Sequence, residues 1–127
     1  MDDIRSRKSK CTGKRKRTEW RKAMKYHYIK LVRDRIPEII EENGRQCFCE
    51  ILSGDAYLEK LDEKLNEELA EYQESKSIEE LADLLEVMHA VVSARGYSWE
   101  DLISIREKKR AERGGFDKHI FLIDVMQ

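Results

Sequence analysis

Two consecutive helical patterns carry carboxylates where their apolar faces turn inward, and this constrains the fold more than any other feature. In KLNEELAEY the first pattern carries Glu67, Glu68 and Glu71; in EELADLLEV the second carries Glu80 and Asp83. At about 100° per residue the first helix gathers Leu58, Leu61, Leu65, Leu69 and Tyr72 into one stripe, with Glu68 at its edge and Glu67 pointing away. On the second, Leu81, Leu84, Leu85, Met88 and Val92 form one apolar face, while Val87, Ala90, Val91 and Ala94 extend it around the cylinder. Glu80 and Asp83 head that second stripe. A helix that is apolar most of the way round is buried, so both acids are expected in a bundle interior.

The pairs Glu68/Glu71 and Glu80/Asp83 are each spaced i,i+3, so each projects from one side of its helix. Two antiparallel helices would bring the four carboxylates together. Without a cation such a cluster suffers both desolvation and mutual repulsion. Hard oxygen donors suit magnesium, with manganese its substitute. Magnesium keeps waters and takes phosphate oxygens, so a phosphorylated ligand is expected. The ordinary alternative is a solvated acidic face, since 40% of the chain is charged. Glu79 and Glu80 also lie in a first helical turn, where negative charge complements the dipole without any metal. Position relative to the apolar stripes, rather than the number of acids, favours the metal.

At 127 residues the chain is expected to form one domain, small enough that oligomerisation would help bury its apolar surface. No apolar run approaches membrane-spanning length and no secretory signal is recognisable, so a cytoplasmic protein is expected. The cysteines Cys11, Cys47 and Cys49 are an odd number in such a chain, which argues against a disulfide framework. The alternation Cys47-Phe48-Cys49 would place both thiols on one sheet face as small buried side chains.

Charge is unevenly distributed. Residues 1–25 hold eleven Lys/Arg against three Asp/Glu, a balance of +8, leaving fourteen against twenty-three, or −9, for the remainder. This basic segment has few apolar residues and is expected to be a disordered extension preceding a domain at 26–127. Its run Lys14-Arg15-Lys16-Arg17 has the generic character of a nucleic-acid-attracting or targeting tail. Met24 is a second candidate for the native start.

From Tyr28 onward the chain is patterned. IKLVRDRIPEIIEENG reads as an extended lead-in and a short helix, with Pro37 in its first turn and Gly44 at its stop. A strand is expected over 46–52. Ser53-Gly54-Asp55 begins a long helix to about Glu74, and Ser77 caps the next, to about Ala94. Ser98 caps a third, with Asp101 three positions later, ending at Gly114-Gly115. His119 to Val125 reads as a second strand, whose obvious partner is 46–52. The expected fold is mainly α, a helical bundle with a small two-stranded β element.

In this order the pieces resemble the all-α nucleoside triphosphate pyrophosphohydrolases, and within them the small MazG-like, phosphoribosyl-ATP pyrophosphohydrolase-like proteins. The likeness covers about Tyr28 to Val125. It rests on Lys30-Leu31-Val32-Arg33-Asp34-Arg35-Ile36-Pro37, Lys64-Leu65-Asn66-Glu67-Glu68-Leu69-Ala70-Glu71, Glu79-Glu80-Leu81-Ala82-Asp83 and Arg113-Gly114-Gly115-Phe116. The family pattern ExxE followed by ExxD matches Glu68, Glu71, Glu80 and Asp83, and the resemblance implies that these bind magnesium. It further implies cleavage between α and β phosphates to a nucleoside monophosphate and pyrophosphate, in the manner of nucleotide-pool house-cleaning enzymes. It also implies at least a homodimer, in which helices of two subunits complete each bundle. One departure is that only eight residues, 72–79, separate the half-motifs, so the turn between the helices must be tight.

Water would be the nucleophile, with Glu67 or Glu71 positioning it or taking its proton. Lys64, one turn before Glu68, is a candidate phosphate ligand, as are Lys30 and Arg33 in the opening motif and Lys108, Arg110 and Arg113 near the end of the third helix. The last three also complement a helix C-terminus, which is their ordinary explanation. Tyr97 and Trp99 are candidates to stack a base, though aromatics at a helix start more often pack. His89 has no second histidine a turn away and reads as a core-edge residue. The substrate alternatives are phosphoribosyl-ATP or another pyrophosphate ester. The other functional classes are a nucleic-acid-binding or regulatory module acting through the basic tail, and a catalytically silent scaffold.

Overall fold

In the computed structural model the described residues are Arg7–Lys10 and 29–127. The chain divides into two compact units, Met1–Val91 and Val92–Gln127. Among the described residues the fold is mainly α, with a small two-stranded β element.

In the first unit the extended lead-in ends at helix α1, Ile36–Glu42. Pro37 sits in its first turn, where the missing amide proton has no intrahelical acceptor to lose. Gly44 follows with φ of 81°, a left-handed value that a side chain would oppose. Strand β2, Phe48–Ile51, comes next. Its antiparallel partner is β1, Arg7–Lys10, in the register Arg7 with Ile51 and Lys10 with Phe48.

That pairing corrects two expectations. The partner of 46–52 is not 119–125, which forms no strand. A strand-like sequence shows only that residues suit a ladder; which segment supplies the hydrogen bonds is a tertiary matter. Four residues of the basic extension are therefore ordered as strand, whereas the remainder of that expectation, including Lys14-Arg15-Lys16-Arg17 and Met24, lies outside the described residues. A third correction concerns sulfur: Cys49 is disulfide-bonded and Cys47 is the free thiol. Burial first, and then the charge of Glu41, push the Cys47 thiol above its ordinary range.

Helix α2 runs Gly54–Ser75, with Ser53 extended at its N-cap position. Lys76 closes it in the left-handed region, its amide donating to the Tyr72 carbonyl at 2.7 Å. Ser77 then starts helix α3, Ile78–Ala94, its hydroxyl accepting from the Glu80 amide at 3.4 Å. The turn is as tight as the eight-residue spacing required. Among the described residues Leu61 and Glu68, both on α2, are the buried ones, at 4% and 7% exposure. On α3 the half-buried positions are Glu80, Asp83, Leu84, Val87, Ala90, Val91, Val92 and Ala94, largely one helical face. The stripe Leu81, Leu85 and Met88 is exposed instead. Glu80 and Asp83 thus head the inward face as expected, but lie at its half-buried margin rather than in an interior.

The second unit holds helix α4, Trp99–Arg113. Ser98 and Asp101 form a complete capping box: the Ser98 hydroxyl accepts from the Asp101 amide at 3.1 Å, and the Asp101 carboxylate accepts from the Ser98 amide at 2.9 Å. Gly114, with φ of 85°, ends the helix. No described helix is long and apolar enough to cross a membrane.

Candidate metal centre

Glu68 is the meeting point of two carboxylate groups. It lies with Glu67 and Glu71 on α2, and separately with Glu80 and Asp83 on α3, each group offering ligand oxygens within 4.8 Å of one another. The first group follows from helical spacing. The second requires the tight turn at Lys76 and Ser77, which returns α3 beside the last turns of α2. The four acids expected to bind metal thus fall into two groups that share Glu68, with Glu71 and Glu67 in the first and Glu80 and Asp83 in the second.

The electrostatics reflect the crowding. Burial first, then a hydrogen bond shared with Glu71 and that group's charge, hold Glu68 above the usual carboxylate range, against the pull of Lys64. Glu80 is also raised, by desolvation and then by the charges of Asp83, Glu68 and Glu79. Carboxylates made reluctant to ionise by one another are those whose repulsion a cation relieves. The all-oxygen donor set, with exposed Glu71 leaving one side open to water, fits magnesium.

Basic residues flank the acids. Arg33 Nη2 lies 2.6 Å from Asp83 Oδ1. Lys64 Nζ is 3.1 Å from Glu67 Oε1 and 3.4 Å from Glu68 Oε1, while Lys30 Nζ is 3.4 Å from the same Glu67 oxygen. Burial alone would raise Glu67, but Lys64 and then Lys30 outweigh it and hold the carboxyl below its ordinary range. Desolvation would lower Lys64, yet its hydrogen bond to Glu67 and the charges of Glu67 and Glu68 raise it on balance. Lys30, Arg33 and Lys64 of the expected phosphate ligands are thus at the site. An open cavity of about 150 Å³ adjoins it, lined by Lys30, Lys60, Glu63, Lys64 and Glu67 with Ile29 and Leu31.

Lys60 was not among the sequence-derived candidates. It pairs with Glu63 at 3.1 Å, and its only sequence signal was its position four residues before Lys64. Lys108, Arg110 and Arg113 belong to the second unit, where Arg110 pairs with Asp117 at 3.3 Å and its guanidinium occupies the space a side chain on Gly115 would need. Tyr97 is exposed and Trp99 half-buried at the start of α4.

Comparison with known proteins adds one relative. An uncharacterized protein of Mycolicibacterium smegmatis is 56% identical over 41 residues, which are 32% of this chain. The chain spans 42% of that relative's length. No family model matches the chain, and no solved structure matches it.

Proposed function

We propose that this chain is a magnesium-dependent nucleoside triphosphate pyrophosphohydrolase, cleaving between the α and β phosphates to release a nucleoside monophosphate and pyrophosphate. The observation that carries the reading is the convergence of Glu67, Glu68, Glu71, Glu80 and Asp83 around one nearly buried carboxylate, beside a lysine-lined cavity. Glu68, shared by both acidic groups, is 7% exposed, a burial that a wholly solvated acidic face does not account for.

Glu68, Glu71, Glu80 and Asp83 would hold the metal. A bound divalent cation supplies charge neutralisation at the phosphates and lowers the pKa of a coordinated water. The protein's own contribution divides between the helices. Glu67, anchored by Lys64 and Lys30, keeps those ammonium groups facing the cavity, where they offset charge building on the departing pyrophosphate. Because both cations draw on the same Glu67 oxygen, that carboxylate is a poor proton acceptor. Glu71, exposed at the edge of the cluster, is the better group to orient the attacking water and accept its proton as the bridging α,β oxygen leaves with pyrophosphate. Arg33 lies 2.6 Å from Asp83 and would share its charge with an arriving phosphate.

The test is pyrophosphate release from a panel of canonical and modified nucleoside triphosphates, with and without magnesium, for the intact protein and for Glu68→Gln. Metal-dependent release that the variant loses supports the reading and ranks the substrates. Silence on every triphosphate would move the assignment to phosphoribosyl-ATP or another pyrophosphate ester, and release unchanged in Glu68→Gln would remove the site.

A further inference from the structure

The cations beside the acids are held in different ways. Lys64 is 15% exposed and bridges Glu67 and Glu68 at 3.1 and 3.4 Å, and Lys30 joins the same Glu67 oxygen at 3.4 Å. Arg33 has Asp83 as its one ion-pair partner among the described residues, at 2.6 Å, with the two side chains open to water at 55% and 40% exposure. An exposed pair of this kind contributes little to stability, so it parts readily. The Arg33 carbonyl accepts from the Ile36 amide at 3.0 Å where the lead-in enters α1, so the backbone there is anchored and only the guanidinium is free to travel. Asp83 in turn shares with Glu68 and Glu80 the group whose oxygens lie within 4.8 Å of one another.

We propose that Arg33 is an exchangeable counter-ion of the acidic centre, an inference that rests on the metal-site reading above. A divalent cation takes Asp83 and displaces the guanidinium, which is then available to a phosphate oxygen of the incoming ligand. Two arguments favour exchange over a permanent hydrogen bond to a metal-bound Asp83. A guanidinium kept at 2.6 Å from that carboxylate would stand beside the divalent ion and be repelled by it. A carboxylate that has given its charge to a metal is also a weaker partner than a phosphate, whose oxygens accept the guanidinium fork in pairs. Lys64, enclosed and shared between two carboxylates, is fixed by comparison. Metal binding therefore creates a phosphate ligand, so the metal enters first, and by linkage each of the two tightens the other.

The experiment titrates the full chain with manganese(II), followed through the paramagnetic resonance of the free ion, and separately with pyrophosphate at saturating magnesium, for wild type, Arg33→Met and Arg33→Lys. Arg33→Met is expected to bind manganese about fivefold more tightly, because the competing cation is gone. It should bind pyrophosphate about tenfold more weakly, because a charged hydrogen bond is gone. Arg33→Lys should fall between, and helical circular dichroism should be the same for all three. A side chain that only packs would not move the two affinities in opposite directions. Looser manganese binding in Arg33→Met would make Arg33 a fixed orienting partner of Asp83 and overturn the exchange, as would an unchanged manganese affinity or an unchanged pyrophosphate affinity. Wild type that binds no manganese would overturn the metal reading itself and the exchange with it, a result separate from the others.

Discussion

Burial, a shared hydrogen bond with Glu71 and that group's charge all oppose ionisation of Glu68, while Lys64 alone pulls the other way. A residue so placed destabilises the chain unless something positive joins it. Replacing Glu68 by Gln keeps the shape and removes the repulsion, so magnesium-dependent turnover should fall by more than the roughly 10–100-fold typical of outer-shell changes at metal sites. Calorimetric titration should show magnesium binding lost while the metal-free variant melts no lower than wild type. Lys60 calls for a different readout. Lys60→Ala should weaken product inhibition by pyrophosphate and raise KM more than it lowers kcat, as loss of ground-state phosphate binding does. An unchanged inhibition constant would separate the cavity from the reaction. The acids were legible in the sequence because i,i+3 spacing on a helix dictates a common side. Lys60 was not, because its membership depends on Lys30 and Ile29 being brought across from the lead-in.

Among the elements, α3 and α4 follow their caps, whereas Ser53 stands at the N-cap of α2 without a side-chain cap hydrogen bond. Ser77 and Ser98 both open helices where their side chains can accept from the first turn, and the complete box at Ser98 and Asp101 is the stronger of the two. Ser98→Ala should cost about 1 kcal/mol, seen as faster amide exchange in the first turn of α4, and Ser77→Ala should cost less given its longer bond. The half-motif spacing was also sufficient for the turn: eight residues between Glu71 and Glu80 leave room for little beyond Lys76 and Ser77 outside the helices. The strands behaved otherwise. Residues 46–52 and 119–125 both have strand composition, yet the first pairs with Arg7–Lys10 and the second with nothing in the described chain. Helical hydrogen bonds close within four residues, whereas ladder bonds depend on whatever segment arrives.

For the molecule as a whole, the titrations of the acidic cluster tie stability to pH. Glu68 and Glu80 have folded-state pKa values above their ordinary ones, so without cation they favour the folded state when protonated. Their contribution declines as pH rises from the ordinary carboxylate range through the raised values. Glu67 runs the opposite way: its contribution is present above the ordinary carboxylate range and is lost as pH falls through its lowered value. On the proposed reading magnesium would compete with the protons on Glu68 and Glu80, and it should then raise the melting temperature by a few degrees at neutral pH, consistent with roughly 2.7 kcal/mol at a hundredfold excess over Kd. The increment should shrink as the solution is acidified and be absent in Glu68→Gln. Thermal melts with and without magnesium across pH measure it, and an increment independent of pH would place the cation elsewhere.

By itself the sequence determined the helices, the caps at Ser77 and Ser98, the tight turn and which carboxylates share a side, since each is settled by contacts within a few residues. It also determined that α3 is apolar over much of its circumference, though not which stripe is turned inward. Tertiary structure decided that Glu80 and Asp83 meet Glu68, that Lys30 and Arg33 reach Glu67 and Asp83 across 37 and 50 residues, and that Arg7–Lys10 completes the sheet. Those pairings are long-range, and a local pattern specifies a face or an edge without naming the distant segment that will meet it.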